Sequence, residues 1–323
     1  MVLKSERVDD GLLEELTKLE SIGTMRRIVA YRAGTVVLRS MVGELLDMGF
    51  EWVLPVMLSR TTDPLWPDPG ASIETRPELE VYGVKVRTMQ SMIVHKRVLV
   101  SLGPPRFFIL SPNIRIEKRE RGRTGWHLYE FTQLETEIAY GKMEDVFRVY
   151  ERLVTSAIRA VRSELSEELR EIGRELREFG TPFKVVSRRE LERAYGPEWE
   201  RVLPHRIEEP VWVTDIPREF YDFEDFETGT WRNYDLFMPE GYGEVLSGAE
   251  REYEHEKMLA KIRRDGLRPE DYEALLKLAR EGKLKPSAGA GLGVERFIAY
   301  VVGARHVAEV QPFPRIPGIV SPL

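Results

Sequence analysis

The stretch from Ile114 to Ala139 reads IRIEKRERGRTGWHLYEFTQLETEIA, two alternating runs around a charged middle. Parity places Arg115 and Glu117 on one face of the first run and Ile114 and Ile116 on the other. On the second run His127, Phe131, Gln133, Glu135 and Glu137 share a face opposite Leu128 and Leu134. The pattern predicts two long strands between Arg106 and Ile138, joined by the turn RERGRTG. One face is apolar and belongs to a core. The other carries a set that binds phosphate through charge-assisted hydrogen bonds, stacks a flat ring and holds an ammonium group. A solvated face with cross-strand ion pairs uses similar residues. Phe131 and Gln133 favour a site, because the only amides in the chain are Asn113, Asn233, Gln90, Gln133 and Gln311.

Working outward, Thr35 to Met48 reads as a helix capped by Gly49, preceded by an amphipathic leader, residues 1–34, with Leu12, Leu13, Leu16 and Leu19 at helical spacing. Trp52 to Leu58 reads as an edge strand interrupted by Pro55, and Thr61 to Gly70, TTDPLWPDPG, as a shaped loop. Met143 to Phe179 holds one or two helices with Glu/Arg pairs four apart. Strand signals follow at Val211 to Asp215 and Trp231 to Met238, then helices near Ala249 to Arg264 and Pro269 to Glu281. A glycine-rich turn leads into a helix over Val294 to Val302. Hairpins with helices between distant strands predict an α+β fold built on an antiparallel sheet flanked by helices. The main domain is expected to span residues 35–323.

Asp235, in the strand NYDLFM, and Glu244, after the turn PEGYG, can converge on a Mg²⁺ shared with substrate phosphates. Ser247 and Glu250 spell S-x-x-E, a capping box ahead of a helix. Arg251 then falls in that helix's first turn, where a cation opposes the macrodipole unless an anion accompanies it. Arg296, in GAGLGVER, stands in the same position on the next helix. That segment is neither GxxxxGK[ST] nor GxGxxG, and His255-Glu256 lacks the second histidine of HExxH, so a mononucleotide loop, a dinucleotide fold and a catalytic zinc are not indicated.

The 323 residues carry 48 Lys+Arg against 54 Asp+Glu, a formal net charge of −6, so no global basic charge draws the chain to nucleic acid. There is no cysteine, which removes disulfides, Cys-ligated metals and thiol nucleophiles. Scarce Asn, Gln and Cys beside dense Glu, Arg and Lys is the composition of a protein adapted to heat. The apolar runs fall short of the roughly 20 residues a spanning helix needs and the start lacks a signal peptide's apolar region, so a cytoplasmic protein without membrane or nucleic-acid partners is expected.

Three blocks in order, Gly49-Phe50 through Pro55, the hairpin from Ile114-Arg115-Ile116-Glu117, and Gly289 through Arg296, resemble the signature motifs of class II aminoacyl-tRNA synthetases. LYEFTQLETE (Leu128 to Glu137) and GEVLSGAER (Gly243 to Arg251) resemble the aspartyl/asparaginyl branch. The resemblance implies that Arg115, Glu117, His127, Phe131, Glu244 and Arg296 bind ATP, with Phe131 stacking on adenine and Arg296 on its other side. It implies that Asp235 and Glu244 hold Mg²⁺, that Arg115, Arg296 and Glu244 are catalytic, and that Ser91, Lys96, Gln133, Glu135, Ser247 and Arg251 form the amino-acid pocket. Within the branch, TDPLWPDP, LSPNIR, EFTQL, KPSAGAG and AEVQPFPR resemble archaeal asparagine synthetases related to asparaginyl-tRNA synthetase, and only a short leader precedes the first block where the tRNA enzymes carry an anticodon-binding barrel. The resemblance implies that aspartate, ATP and ammonia give asparagine, AMP and pyrophosphate. A C2 homodimer through the Pro55 region is also implied. The alternatives are a paralogue that adenylates aspartate or asparagine for another acceptor, and a non-catalytic amino-acid sensor. The chain departs from the branch at Trp126, where an arginine is usual, and at Ile93, where aspartyl enzymes carry glutamine.

Overall fold

The computed structural model describes residues 8–65 and 73–323. The second half of the expected Thr61 to Gly70 loop, from residue 66, lies outside the described residues, as do the first seven residues of the leader. Among the described residues one sheet of eight strands dominates: β1 (Glu51–Trp52), β2 (Arg106–Ile114), β3 (Glu130–Ala139), β4 (Lys184–Ser187), β5 (Val211–Thr214), β6 (Asn233–Met238), β7 (Gly243–Glu250) and β8 (Ser287–Gly293). Their order is β1-β2-β3-β8-β7-β6-β5-β4. The pairs β1–β2 and β5–β4 are parallel and the rest antiparallel. This is the α+β architecture read from the hairpin.

Helices α1 (Asp10–Thr17), α2 (Met25–Asp47), α3 (Ile93–Leu102), α4 (Met143–Glu164), α5 (His255–Arg264) and α6 (Val294–Val302) surround it. Alternation decides which face each strand residue takes. Leu134 of β3, Leu236 of β6, Leu246 of β7 and Ala288, Ala290 and Leu292 of β8 enter one core with Met41 and Leu45 of α2, Val154 and Ile158 of α4 and Phe297 of α6. Each large aliphatic or aromatic side chain buried there is worth about 1.5–3 kcal/mol. The leader belongs to the same core through Leu12, Leu13 and Leu16. Residue 34 falls inside α2, so the helix expected from Thr35 starts ten residues earlier.

Two expectations are corrected by sheet pairing. Gly289 to Gly293 is not a turn but β8, with Ser247, Ala249 and Glu250 of β7 on one side and Leu134, Glu135 and Glu137 of β3 on the other. Its glycines allow close approach. A Cβ on Gly289 would lie 2.2 Å from Glu137 Oε2 and 2.2 Å from the Thr136 carbonyl oxygen. Gly289→Ala is therefore expected to part the sheet, at a cost of about 3 kcal/mol or more. A thermal melt should show Tm lower by roughly 4–5 °C or more. Ser247 and Glu250 likewise form no capping box. They are strand residues, the helix begins at His255, and Arg251 follows the end of β7, bridged to Asp222.

Candidate active site

The face of the sheet opposite this core carries the polar set. Asp235, Ser247, Gly291 and Glu135 are successive partners across β6, β7, β8 and β3. With neighbouring strands about 4.8 Å apart, this row spans roughly 14 Å. Glu244 joins it through a bulge: pairing shifts between Leu236 and Phe237 so that Phe237 faces Glu244, leaving Val245 as the extra residue. The bulge moves even-numbered Glu244 to the face of odd-numbered Ser247.

One end is a cavity lined by Arg115, Glu117, His127, Phe131, Glu244 and Arg296, the six residues expected at ATP, with Trp126 and Gln133 on its wall. Arg115 marks the point where the chain leaves β2, so the hairpin's connection is longer than RERGRTG and the first run stops at Ile114. Its guanidinium lies 5.2 Å from the Phe131 ring centroid, and Nε donates to the Gln90 carbonyl at 3.0 Å. Arg296 donates through Nη1 to the Glu244 carbonyl at 3.0 Å and through Nε to the Trp126 carbonyl at 3.2 Å. Trp126 packs edge-on against Tyr242 at 5.1 Å, so it steadies Arg296 through its backbone.

Glu117 is buried and accepts from Arg121 Nη1 at 3.2 Å, and the same nitrogen meets His127 Nε2 at 2.9 Å. Burial, with Arg296 and Arg121 beside it, holds the His127 pKa well below the ordinary range. The ring is neutral. Since Arg121 can only donate, Nε2 accepts and Nδ1 carries the proton, donating to Thr124 Oγ1 at 2.6 Å. His127 thus positions Arg121, a residue the sequence reading passed over inside the charged turn.

Arg218, also passed over, binds Asp235 Oδ2 at 2.5 Å and the Ser247 hydroxyl. Burial, with nearby Glu244, raises the Asp235 pKa to about 7 although Arg218 opposes it. Burial and Glu244 also raise that of Glu200. Asp235 Oδ1 is buried with no partner. An orphaned carboxylate oxygen near a second carboxylate fits a divalent cation whose remaining ligands are phosphate and water. Among the described residues no cluster of three or more His, Cys, Asp or Glu has metal-holding geometry. Asp235 and Glu244 therefore make half a site that phosphates would complete.

At the other end Lys96 of α3, 1% exposed, pairs with Glu135 at 2.7 Å and Glu137 at 3.6 Å. Arg251 pairs with Asp222 at 2.7 Å and Glu137 at 3.4 Å and donates to the Gly289 carbonyl at 3.1 Å. Asp222 and Glu137 are partners that sequence spacing did not assign to Arg251. Asn113 donates to Gln133 Oε1 at 2.9 Å, and Ser91 accepts from the Ile93 backbone N–H at 3.3 Å as α3 begins. The structure thus brings Lys96, Glu135 and Arg251 into one buried charge network, while Ser247 lies toward Asp235. Ile93 itself packs with Phe220 and Tyr221 in a second apolar cluster.

Glu295, beside Arg296, accepts from the Thr132 backbone N–H at 3.0 Å and tethers β3 to α6. Burial raises its pKa from 4.5 to about 7. Between those values the folded chain binds a proton that the unfolded chain has released. Its contribution to stability therefore falls as pH rises through that window, by up to about 1.4 kcal/mol per unit, and is level above it. Glu295→Gln should remove this slope, so the wild-type-minus-variant difference in unfolding free energy should decline from pH 5 to 7 in denaturant titrations.

The eight-stranded sheet with its flanking helices has the class II aminoacyl-tRNA synthetase catalytic fold. Residues 73–317 match the family described as tRNA synthetases class II (D, K and N), and the chain belongs to it. It is 33% identical over 240 residues to the asparagine–tRNA ligase of Pyrococcus horikoshii, covering 68% of this chain and 54% of that one. It is 35% identical over 244 residues to the aspartate–tRNA(Asp/Asn) ligase of Methanopyrus kandleri, covering 70% and 55%. The chain thus spans about half the length of these relatives. The crystal structure of asparaginyl-tRNA synthetase from Pyrococcus horikoshii complexed with asparaginyl-adenylate superposes with a TM-score of 0.85 at 28% identity, over 98% of this chain and 74% of the other. No helix among the described residues is long and apolar enough to cross a membrane.

Proposed function

We propose that the protein is an ammonia-dependent, AMP-forming asparagine synthetase, converting aspartate, ATP and ammonia to asparagine, AMP and pyrophosphate through a β-aspartyl adenylate. The observation that carries this reading is the pair of buried cations, Lys96 and Arg251, at the end of the sheet face whose other end is the nucleotide pocket. Two cations at the far end suit a substrate with a second carboxylate. Aspartate held there by its α-carboxylate, with Glu135 taking its α-ammonium, presents the β-carboxylate toward the nucleotide. Arg115 and Arg296 then neutralise charge developing on the phosphates. Asp235 and Glu244 would hold Mg²⁺, which supplies further neutralisation. These 323 residues offer no thiol to release ammonia from glutamine, which supports free ammonia as the donor.

The named relatives favour a second reading, transfer of the acyl group to tRNA. Incubation with ATP, Mg²⁺, aspartate and ammonium without tRNA separates the two. Asparagine formed one-for-one with AMP supports the synthetase. Pyrophosphate exchange without asparagine, followed by tRNA charging, sinks it, and amino-acid binding with neither activity would mark a sensor.

A homodimer belongs to the same proposal. Trp52, Leu54, Val56, Met57 and Leu58, around Pro55, form an exposed apolar run, with Leu54 81% exposed. Light scattering is expected to give twice the chain mass, and a monomer counts against this face as an interface.

A further inference from the structure

Leu12, Leu13 and Leu16 anchor α1 in the main core, and from that fixed position the leader grips the turn between β2 and β3. The Val8 backbone N–H donates to the Arg123 carbonyl at 3.0 Å, and the Arg123 guanidinium pairs with the Asp10 carboxylate at 2.6 Å. A Cβ on Gly125 would lie 3.6 Å from Val8 Cγ2, so the Val8 side chain closes against the same turn. An exposed ion pair is weak when both partners must be ordered to make it. Here one partner stands on a helix whose apolar face is already buried.

The gripped residues are one step from the nucleotide pocket. Thr124, next to Arg123, donates its hydroxyl to the Arg121 carbonyl at 2.8 Å and accepts from His127 Nδ1 at 2.6 Å. Arg121 in turn meets His127 Nε2 and Glu117. The buried side of the turn is held separately: the Val307 N–H donates to the Gly125 carbonyl at 2.8 Å, and His306 Nε2 to the Gly122 carbonyl at 3.0 Å. Its exposed side, at Arg123, meets the leader. Asp10 and Leu13 also line, with Arg115, Arg121, His127 and Arg296, a cavity of about 1320 Å³ that shares Arg115, His127 and Arg296 with the nucleotide pocket.

We propose that the leader is a clasp on this turn, with Val8 and Asp10 as positioning residues that keep Arg121 and His127 at the nucleotide cavity. The inference rests on reading that cavity as the ATP site and holds for any acceptor of the acyl group. Released from Val8 and Asp10, the turn samples arrangements in which Arg121 and His127 leave the cavity wall. Apparent affinity for ATP then falls in proportion to the fraction of molecules that remain competent. Linkage makes the effect reciprocal: ATP bound against the turn holds the leader in place as firmly as the leader holds the turn.

The test measures ATP–Mg²⁺ binding by calorimetry in wild type and in the double variant Val8→Pro with Asp10→Asn. Proline removes the donating N–H, and asparagine removes the charge while Asp9 still caps α1 through the Leu12 N–H at 2.8 Å. The double variant is expected to bind ATP about fivefold more weakly or worse, with a thermal transition close to that of wild type. Asp10→Glu, which keeps the charge, should bind ATP as wild type does. In wild type ATP should slow hydrogen exchange of the leader amides from Val8 to Thr17, and less so in the double variant. Unchanged ATP affinity in the double variant, leader exchange indifferent to ATP, or affinity and Tm falling together would make the leader a structural helix only and overturn this inference alone. A wild type that binds no ATP removes the reading of the cavity, and the clasp with it.

Discussion

Arg115→Ala should lower the rate of aspartate-dependent ATP–pyrophosphate exchange by about 10³-fold with little change in Tm. The two halves of that expectation come from different parts of the side chain's surroundings. Arg115 is half-buried, and among the described residues its side chain makes one hydrogen bond, from Nε to the Gln90 carbonyl. Losing one such bond costs about 1 kcal/mol. Chemistry depends on the rest of the group. The guanidinium lies 5.2 Å from the Phe131 centroid, and Arg115 lines the cavity with Glu117, Glu244 and Arg296. Charge stabilisation by one preorganised donor is worth about 10²–10³ in rate, and an arginine on a transferring phosphoryl group about 10³–10⁵. Arg115→Lys should recover only part, because an ammonium cannot stack in plane and donate in a fork together. Exchange within tenfold of wild type in Arg115→Ala would move the α-phosphate away from this residue.

Why parity found part of this site and missed the rest follows from where each signal resides. Phe131, Gln133, Glu135 and Glu137 were legible because a strand's faces alternate within the strand itself, and Leu134 confirms the phase by entering the core. Ser247 and Glu250 misled because S-x-x-E is a local signal, while the pairing of Ser247 with Asp235 and Gly291 is tertiary and overrides it. In β8 the glycines leave no side chain on the site face to display alternation, although Ala288, Ala290 and Leu292 record it on the other. Glu244 reaches the site through a bulge that no residue type announces. Asp222 lies 29 positions from Arg251 and Glu137 lies 114, so only the folded chain assigns them as its partners.

These partnerships predict how Arg251 separates stability from binding. Burial works against its charge, but Glu137 and Asp222 outweigh that and hold the guanidinium more firmly protonated than usual. Arg251→Ala leaves those two carboxylates short of a counter-charge in a buried network, at a cost of about 3–5 kcal/mol. For a chain of this size the Tm should fall by roughly 4–7 °C. Arg251→Lys restores the charge and with it most of that loss. It cannot restore the geometry, because one ammonium does not span Asp222, Glu137 and the Gly289 carbonyl while keeping an N–H for a substrate carboxylate. The lysine variant is therefore expected to melt within a few degrees of wild type, with the KM for aspartate at least tenfold higher and kcat less affected. Calorimetry with steady-state kinetics checks both. A lysine variant that melts like wild type and keeps its aspartate KM would reduce Arg251 to a structural cation and transfer carboxylate recognition to Lys96.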